Sequence, residues 1–154
     1  MARRPENVHV YLFRKSPEGE YEFAVFQRAD DPKCWQGVSG GVEDGEIPVQ
    51  AALRESFEEA GAPADSPIYR LDTMSYLPSH IFADCSLWGG DVIVCPMYFF
   101  AIPFGGDIAL SEEHIQARWL TYEKAEALTY WHDQKVALWE LKERLAKDKM
   151  IRIK

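Results

Sequence analysis

The chain has 154 residues and a formal net charge of −8, with hydrophobic residues at 47% and charged residues at 27%. That length predicts one domain over 1–154, long enough to bury most of the surface its unfolded form exposes, and the composition is ordinary for a globular protein. The acidic balance excludes a general nucleic-acid binder, because phosphate backbones are held chiefly by Lys and Arg; an anionic ligand has to be attracted by something other than net charge, and a divalent cation is the obvious candidate. Cys34, Cys85 and Cys95 are odd in number and lack CxxC spacing, which suits reduced thiols rather than a disulfide framework or a zinc site. No apolar run follows the first charges, so no secretory signal is expected, and the most apolar stretch, 92–104, is far short of the ~20 residues of a membrane helix. A cytoplasmic location with no membrane partner is the expectation, and nothing in the composition sets an oligomeric state.

In chain order, residues 8–13 are rich in β-branched and aromatic side chains and predict a strand. Turn residues at 15–20 join it to a second strand at 21–27, giving a hairpin. After a charged loop at 28–32, a short apolar segment at 35–38 enters a glycine-rich stretch, Gly40-Gly41-Val42-Glu43-Asp44-Gly45-Glu46, predicted as a loop whose glycines allow close backbone approach and positive φ. Pro48 suits the first turn of a helix, and Gly61 followed by Pro63 marks its end. A strand at 69–77 leads to an aromatic loop at 78–90. A long β-type run at 92–102, with two prolines, predicts an edge strand or a bulge. A short strand at 118–120 precedes helical patterns at 122–128 and 131–145, the latter with Val136, Trp139 and Leu145 on one stripe and Trp131, Leu138 and Leu141 beside it. Strands interleaved with helices predict a mixed sheet covered by helices.

The chemistry concentrates at Arg54-Glu55-Ser56-Phe57-Glu58-Glu59-Ala60-Gly61. At about 100° per residue, Glu55, Glu58 and Glu59 fall within roughly a third of the helix circumference, with Val49, Leu53, Ser56, Phe57 and Ala60 on the opposite, packing side. Clustered carboxylates repel one another, and no lysine lies between Lys33 and Lys124 to relieve them. A hard divalent cation does so: Mg²⁺ or Mn²⁺ takes oxygen ligands, retains waters and bridges to substrate phosphates. Glu46 either reaches the same region or accepts hydrogen bonds from the helix N-terminus, and Arg54, one turn from Glu58, is placed to orient that carboxylate. A solvated acidic helix face is the plainer reading of an isolated ExxEE run.

The full constellation resembles the signature of the Nudix hydrolases, whose fixed positions are matched by Gly40, Glu46, Arg54, Glu55, Glu58, Glu59 and Gly61; Ser56 and Ala62 depart from two bulky aliphatic positions. Gln27-Arg28, Asp30-Asp31-Pro32, Trp35-Gln36, Glu113-His114 and Trp119-Leu120 are similar to the dihydroneopterin triphosphate pyrophosphatase branch. The resemblance implies an α/β class fold, a Nudix-type α/β/α sandwich with a mixed central sheet, in which metal-activated water attacks a phosphoanhydride. It implies Glu55, Glu58 and Glu59 as metal ligands, one of them doubling as base, with Arg54 orienting a glutamate, Glu46 supporting loop and helix, and a carbonyl near Gly40 as a further ligand. Glu113 is implied as base or extra ligand, against the alternative that Glu112 and Glu113 cap a short helix after Ser111. Arg28 either contacts a phosphate or pairs with Asp30 or Asp31. Trp35 either stacks on a base or pterin ring or packs beneath the loop. Trp88, with His80 and Phe82, sits in the loop expected to form the substrate pocket. The favoured substrate is dihydroneopterin triphosphate or an NTP-like molecule. ADP-ribose or a dinucleoside polyphosphate is the alternative, and a non-catalytic nucleotide sensor is the reading from another class.

Overall fold

The structure is a computed structural model describing residues 2–153. Its elements in chain order are β1 (Arg3–Lys15), β2 (Tyr21–Arg28), β3 (Trp35–Gln36), β4 (Val38–Glu43), α1 (Pro48–Ala60), β5 (Tyr69–Pro78), β6 (Val94–Pro103), β7 (His114–Leu120), α2 (Tyr122–Leu128), α3 (His132–Lys147) and β8 (Ile151–Arg152), with two short 3₁₀ turns, Ser79–Ile81 and Ala83–Leu87, between β5 and β6.

β1 organises the sheet. One of its edges is shared in succession: the N-terminal half pairs antiparallel with β4 (Asn7↔Gly41, Val8↔Gly40) and the C-terminal end with β2 (Phe13↔Phe23). Its other edge pairs parallel with β6, from Asn7↔Met97 to Phe13↔Pro103. β6 continues antiparallel to β5, which takes β8 at its start, while β2 also carries β3 and β7. Side chains alternate across a strand, and in β1 both faces are covered. Val8, Val10 and Leu12 join Ala51, Ala52, Leu53 and Ala60 of α1. Tyr11 and Phe13 join Ala125 of α2 and Ala137, Leu138 and Leu141 of α3. The result is a mixed sheet between α1 on one side and α2 and α3 on the other, the expected α/β/α sandwich.

Several local expectations change. Gly40 and Gly41 lie within strand β4 rather than in a loop, and of the glycines in that stretch only Gly45 has positive φ, at 84°. β6 is central rather than an edge: Pro103 ends the strand and Pro96 precedes the first pair with β1, so neither missing N–H interrupts the parallel ladder. β7 begins at His114, well before the predicted strand. α1 does end as predicted, with Gly61 left-handed at φ 80° and donating its N–H to Phe57 O. Its faces differ, however: Phe57 is 57% exposed and Glu59 only 2% exposed. In α3 the buried stripe is Gln134, Ala137, Leu138 and Leu141, whereas Val136, Trp131 and Trp139 face outward, Trp139 at 52% exposure. Residues 134, 137, 138 and 141 follow the i, i+3, i+4, i+7 spacing; the small Ala137 and polar Gln134 hide that stripe from a reading weighted by aromatic bulk. Among the described residues no helix is long and apolar enough to cross a membrane.

Candidate active site

The site starts from an arginine. Arg54, on α1, uses its guanidinium fork in four directions. Nε and Nη2 donate to Glu46 Oε2 and Oε1 at 2.7 and 3.0 Å, Nη1 to Glu55 Oε1 at 2.8 Å and Glu58 Oε2 at 3.2 Å, and Nη2 also to the Gly41 carbonyl at 2.9 Å. A planar, multidentate donor of this kind cannot be replaced by lysine. Glu46 in turn accepts the Glu43 amide at 2.9 Å, closing the turn between β4 and α1. The hydrogen bonds from Arg54 hold the Glu46 carboxyl below its ordinary range, and those it donates to Glu46 and Glu55 raise the Arg54 pKa. The strand, the turn and the helix are thereby clamped in one geometry.

Glu55 sits against the backbone of Gly40: a Cβ built at that position would collide with its carboxyl group. Glu59 lies deeper, with both carboxylate oxygens buried and without a hydrogen-bond partner. Burial pushes its pKa far above the ordinary carboxylate range, and the adjoining Glu55 and the charges of Glu55 and Glu113 push the same way. Glu113 is itself raised, first by burial and then by Glu55. His114 Nε2 approaches Glu59 Oε1 at 3.6 Å, and burial lowers the His114 pKa. The donor set suits a hard cation, being all oxygen, acidic and, at Glu59, without a hydrogen-bond partner among the described residues. Among the described residues no three acidic, histidine or cysteine side chains are already gathered in metal-ligating geometry, since Arg54 holds Glu55 and Glu58.

A cavity of about 870 Å³ opens beside this cluster, lined by Gly40, Glu59, Glu113 and Arg28 at the acidic end and by Ser75, Tyr76, Phe82, Met97, Trp131 and Gln134 elsewhere. Of the residues singled out in the sequence, it brings together Arg28, Asp30, Gly40, Glu59, Phe82, Glu112 and Glu113. Arg28 is tied to Asp30 by hydrogen bonds of 2.8 and 2.6 Å. Glu46, Arg54, Glu55 and Glu58 form the layer behind it. Trp35 is buried in the α2 and α3 side of the core with the Arg118 guanidinium 5.0 Å from its ring centroid. Trp88 donates its indole N–H to the Arg3 carbonyl at 2.7 Å and pins the 3₁₀ segment to β1. Neither tryptophan lines the cavity.

The cavity also contains Gln36, named in the sequence only within the Trp35-Gln36 resemblance, and Arg3, Asn7, Ser39 and Gln134, none of which the sequence reading singled out. Arg3 and Asn7 fall outside the strand predicted to begin at residue 8. A strand extended toward the N-terminus would have been the signal for both.

Carboxylates and an arginine are thus fixed at the joint of a strand and a helix, beside a large cavity. The NUDIX domain family model matches residues 3–139, and the chain belongs to that family. It is 37% identical over 128 residues to an RNA pyrophosphohydrolase of Roseobacter denitrificans, covering 78% of this chain and 79% of that protein. A shorter match, 40% identical over 57 residues, links it to the dihydroneopterin triphosphate diphosphatase of Escherichia coli, over 37% of this chain and 36% of that one. Among solved structures, a NUDIX hydrolase from Listeria monocytogenes superposes with a TM-score of 0.86 at 37% identity, covering 97% of this chain and all of the other. The E. coli dihydroneopterin triphosphate pyrophosphohydrolase superposes with a TM-score of 0.72 at 26% identity, covering 90% and 94%.

Proposed function

We propose that the chain is a Mg²⁺- or Mn²⁺-dependent pyrophosphohydrolase that opens a phosphoanhydride bond in a nucleoside or pterin polyphosphate, with dihydroneopterin triphosphate or an NTP-like molecule favoured. The observation that carries this reading is Glu59: a buried carboxylate with no partner, facing a cavity beside Glu113 and Gly40. Glu55, Glu58, Glu59 and Glu113, with the Gly40 carbonyl, would hold the metal. When bound there, such an ion lowers the pKa of a water and neutralises charge on the bridging and leaving oxygens.

The chain's own residues supply the rest. Arg54 and Glu46 position the carboxylates and fix α1 against β4. Glu113, whose pKa is raised by burial and then by Glu55, would take a proton from the attacking water if it is not itself a metal ligand. Glu59, buried most deeply, stays fixed as a ligand. The cavity volume lies within the range that encloses a small-molecule ligand, and its aromatic and amide walls suit a flat heterocycle. A small soluble substrate also agrees with the net charge of −8.

A second reading is favoured by one observation, the match over most of both chains to a protein named RNA pyrophosphohydrolase. The same chemistry would then act on an RNA 5′ end. The test is release of phosphate or pyrophosphate from a panel containing dihydroneopterin triphosphate, nucleoside triphosphates, ADP-ribose, a dinucleoside tetraphosphate and a 5′-triphosphorylated oligoribonucleotide, with and without Mg²⁺. Turnover of a small member only with metal is expected, and Glu58→Gln and Glu59→Gln should each lower it by roughly a hundredfold or more while far-ultraviolet circular dichroism stays unchanged. Normal turnover in both variants would sink the mechanism, and preference for the oligonucleotide would select the second reading.

A further inference from the structure

The cavity has two arginines, Arg3 and Arg28, and they differ in what they are bound to. Arg28 is committed to Asp30 through Nε and Nη2, and Arg54 nearby is committed to Glu46, Glu55, Glu58 and the Gly41 carbonyl. Arg3 makes no salt bridge with any described residue. Its Nη2 donates to Asn7 Oδ1, its Nη1 makes no hydrogen bond, and its Nε is buried without a partner. Burial works against its charge, while Asp84 and Glu55 favour it.

The guanidinium is nevertheless fixed. One face lies over the Phe82 ring, 4.5 Å from the centroid, a stacking that holds a cation while leaving its N–H edge available. It also passes over Gly41, where an added Cβ would meet Arg3 Nε at 2.5 Å and Cζ at 2.7 Å. Gly41 adjoins Gly40, which carries Glu55 against its own backbone. Consecutive strand residues point to opposite faces, so the fork lies across β4 from the Glu55 carboxyl, yet it lines the same cavity as Glu59 and Glu113, with donors to spare and no salt bridge to a described residue. Arginine in such a setting is suited to phosphate oxygens, which accept two N–H groups at once. Because ring and Asn7 already order the side chain, little conformational freedom is lost on binding.

We infer that Arg3 is a substrate-binding residue that holds the phosphate group adjoining the anhydride to be opened. This rests on the phosphoanhydride reading given above. It also explains how a strongly acidic protein holds a polyanion away from the metal: the guanidinium forms no salt bridge with a described residue, and Asp84 and Glu55 act on it only through their charge.

The test uses the full chain with Mg²⁺ and compares wild type with Arg3→Met, Arg3→Lys and Phe82→Leu. Two measurements are made: KM and kcat on whichever panel member the wild type hydrolyses, and the Kd of inorganic tripolyphosphate by calorimetry across a salt series. Arg3→Met should raise KM and Kd roughly ten- to a hundredfold, the scale of a charge-assisted hydrogen bond, with kcat within about threefold of wild type. It should also flatten the salt dependence, because one phosphate contact is gone. Arg3→Lys should recover part of the affinity and most of the salt dependence. Phe82→Leu, which loosens the loop and keeps the charge, should retain the salt dependence. Unchanged KM, Kd and salt dependence in Arg3→Met overturns the inference, as does an Arg3→Lys variant as impaired as Arg3→Met with a wild-type salt slope. Should the wild type hydrolyse no panel member yet bind tripolyphosphate in an Arg3-dependent way, the hydrolase reading fails and the assignment of Arg3 stands.

Discussion

Gly40 shows how little room the site leaves for a side chain. It is paired in a strand, with no positive φ to demand glycine, so the requirement comes from the space its missing Cβ gives to the Glu55 carboxyl. Gly40→Ala is therefore expected to displace Glu55 and disturb its bond from Arg54, lowering turnover roughly a hundredfold, as an ångström-scale misplacement does, with a small change in melting temperature. Wild-type turnover in that variant would remove Gly40 from the site. The acidic residues around it were legible in the sequence because charge crowding and fixed spacing are local properties. The burial of Glu59 was not. Helical periodicity gives angles around an axis, whereas the direction of the sheet relative to α1 decides whether residue 57 or residue 59 is covered.

The elements are joined by polar ties as well as by apolar layers. β5 has a register shift against β6 between Arg70 and Met74, which frees backbone amides from the ladder. Glu140 of α3 takes them: Oε2 accepts the Asp72 amide at 2.6 Å, and Oε1 accepts the Thr73 amide at 2.8 Å and its hydroxyl at 2.6 Å, while Arg144 Nε donates to Oε2 at 2.7 Å. Burial opposes the charge, and these donors outweigh it, so the Glu140 pKa falls below its usual 4.5. A depressed carboxylate contributes stability that is fully present above the unfolded pKa and is lost as pH falls through the folded value. Glu140→Gln should accordingly lower the urea midpoint most at pH 7, and its difference from wild type should close as pH drops below 4.5. A pH-independent difference would show that the charge is not what matters. The sequence carried the helix and the strand here. It could not carry the tie between them, because a bulge is defined by the partner strand.

For the whole molecule the central quantity is unrelieved negative charge. With −8 overall and a Glu59 carboxyl whose pKa is pushed up by burial and by Glu55 and Glu113, the chain carries a local conflict that a divalent cation would resolve. Binding to the folded form alone raises stability by about 2.7 kcal/mol at a hundredfold excess over Kd. Mg²⁺ is therefore expected to raise the melting temperature by several degrees in a concentration-dependent way. Glu59→Gln should start from a higher metal-free melting temperature and lose most of the Mg²⁺ response. An equal Mg²⁺ response in wild type and variant would place the ion elsewhere. The sandwich itself was legible from alternating strand and helix patterns. The shape of the cavity was not, since its walls come from segments far apart in the chain that only the sheet order brings together.

The position of β1 has a practical side. Its first residues line the cavity, and Trp88 is hooked to its opening carbonyl, whereas β8 closes the chain at Tyr69 and Arg70, the end of β5 remote from the cavity-lining Ser75 and Tyr76. A purification tag fused ahead of Arg3 would emerge at the mouth of the binding site and compete for the same space as a ligand. One fused after Ile153 would leave from the far end of β5.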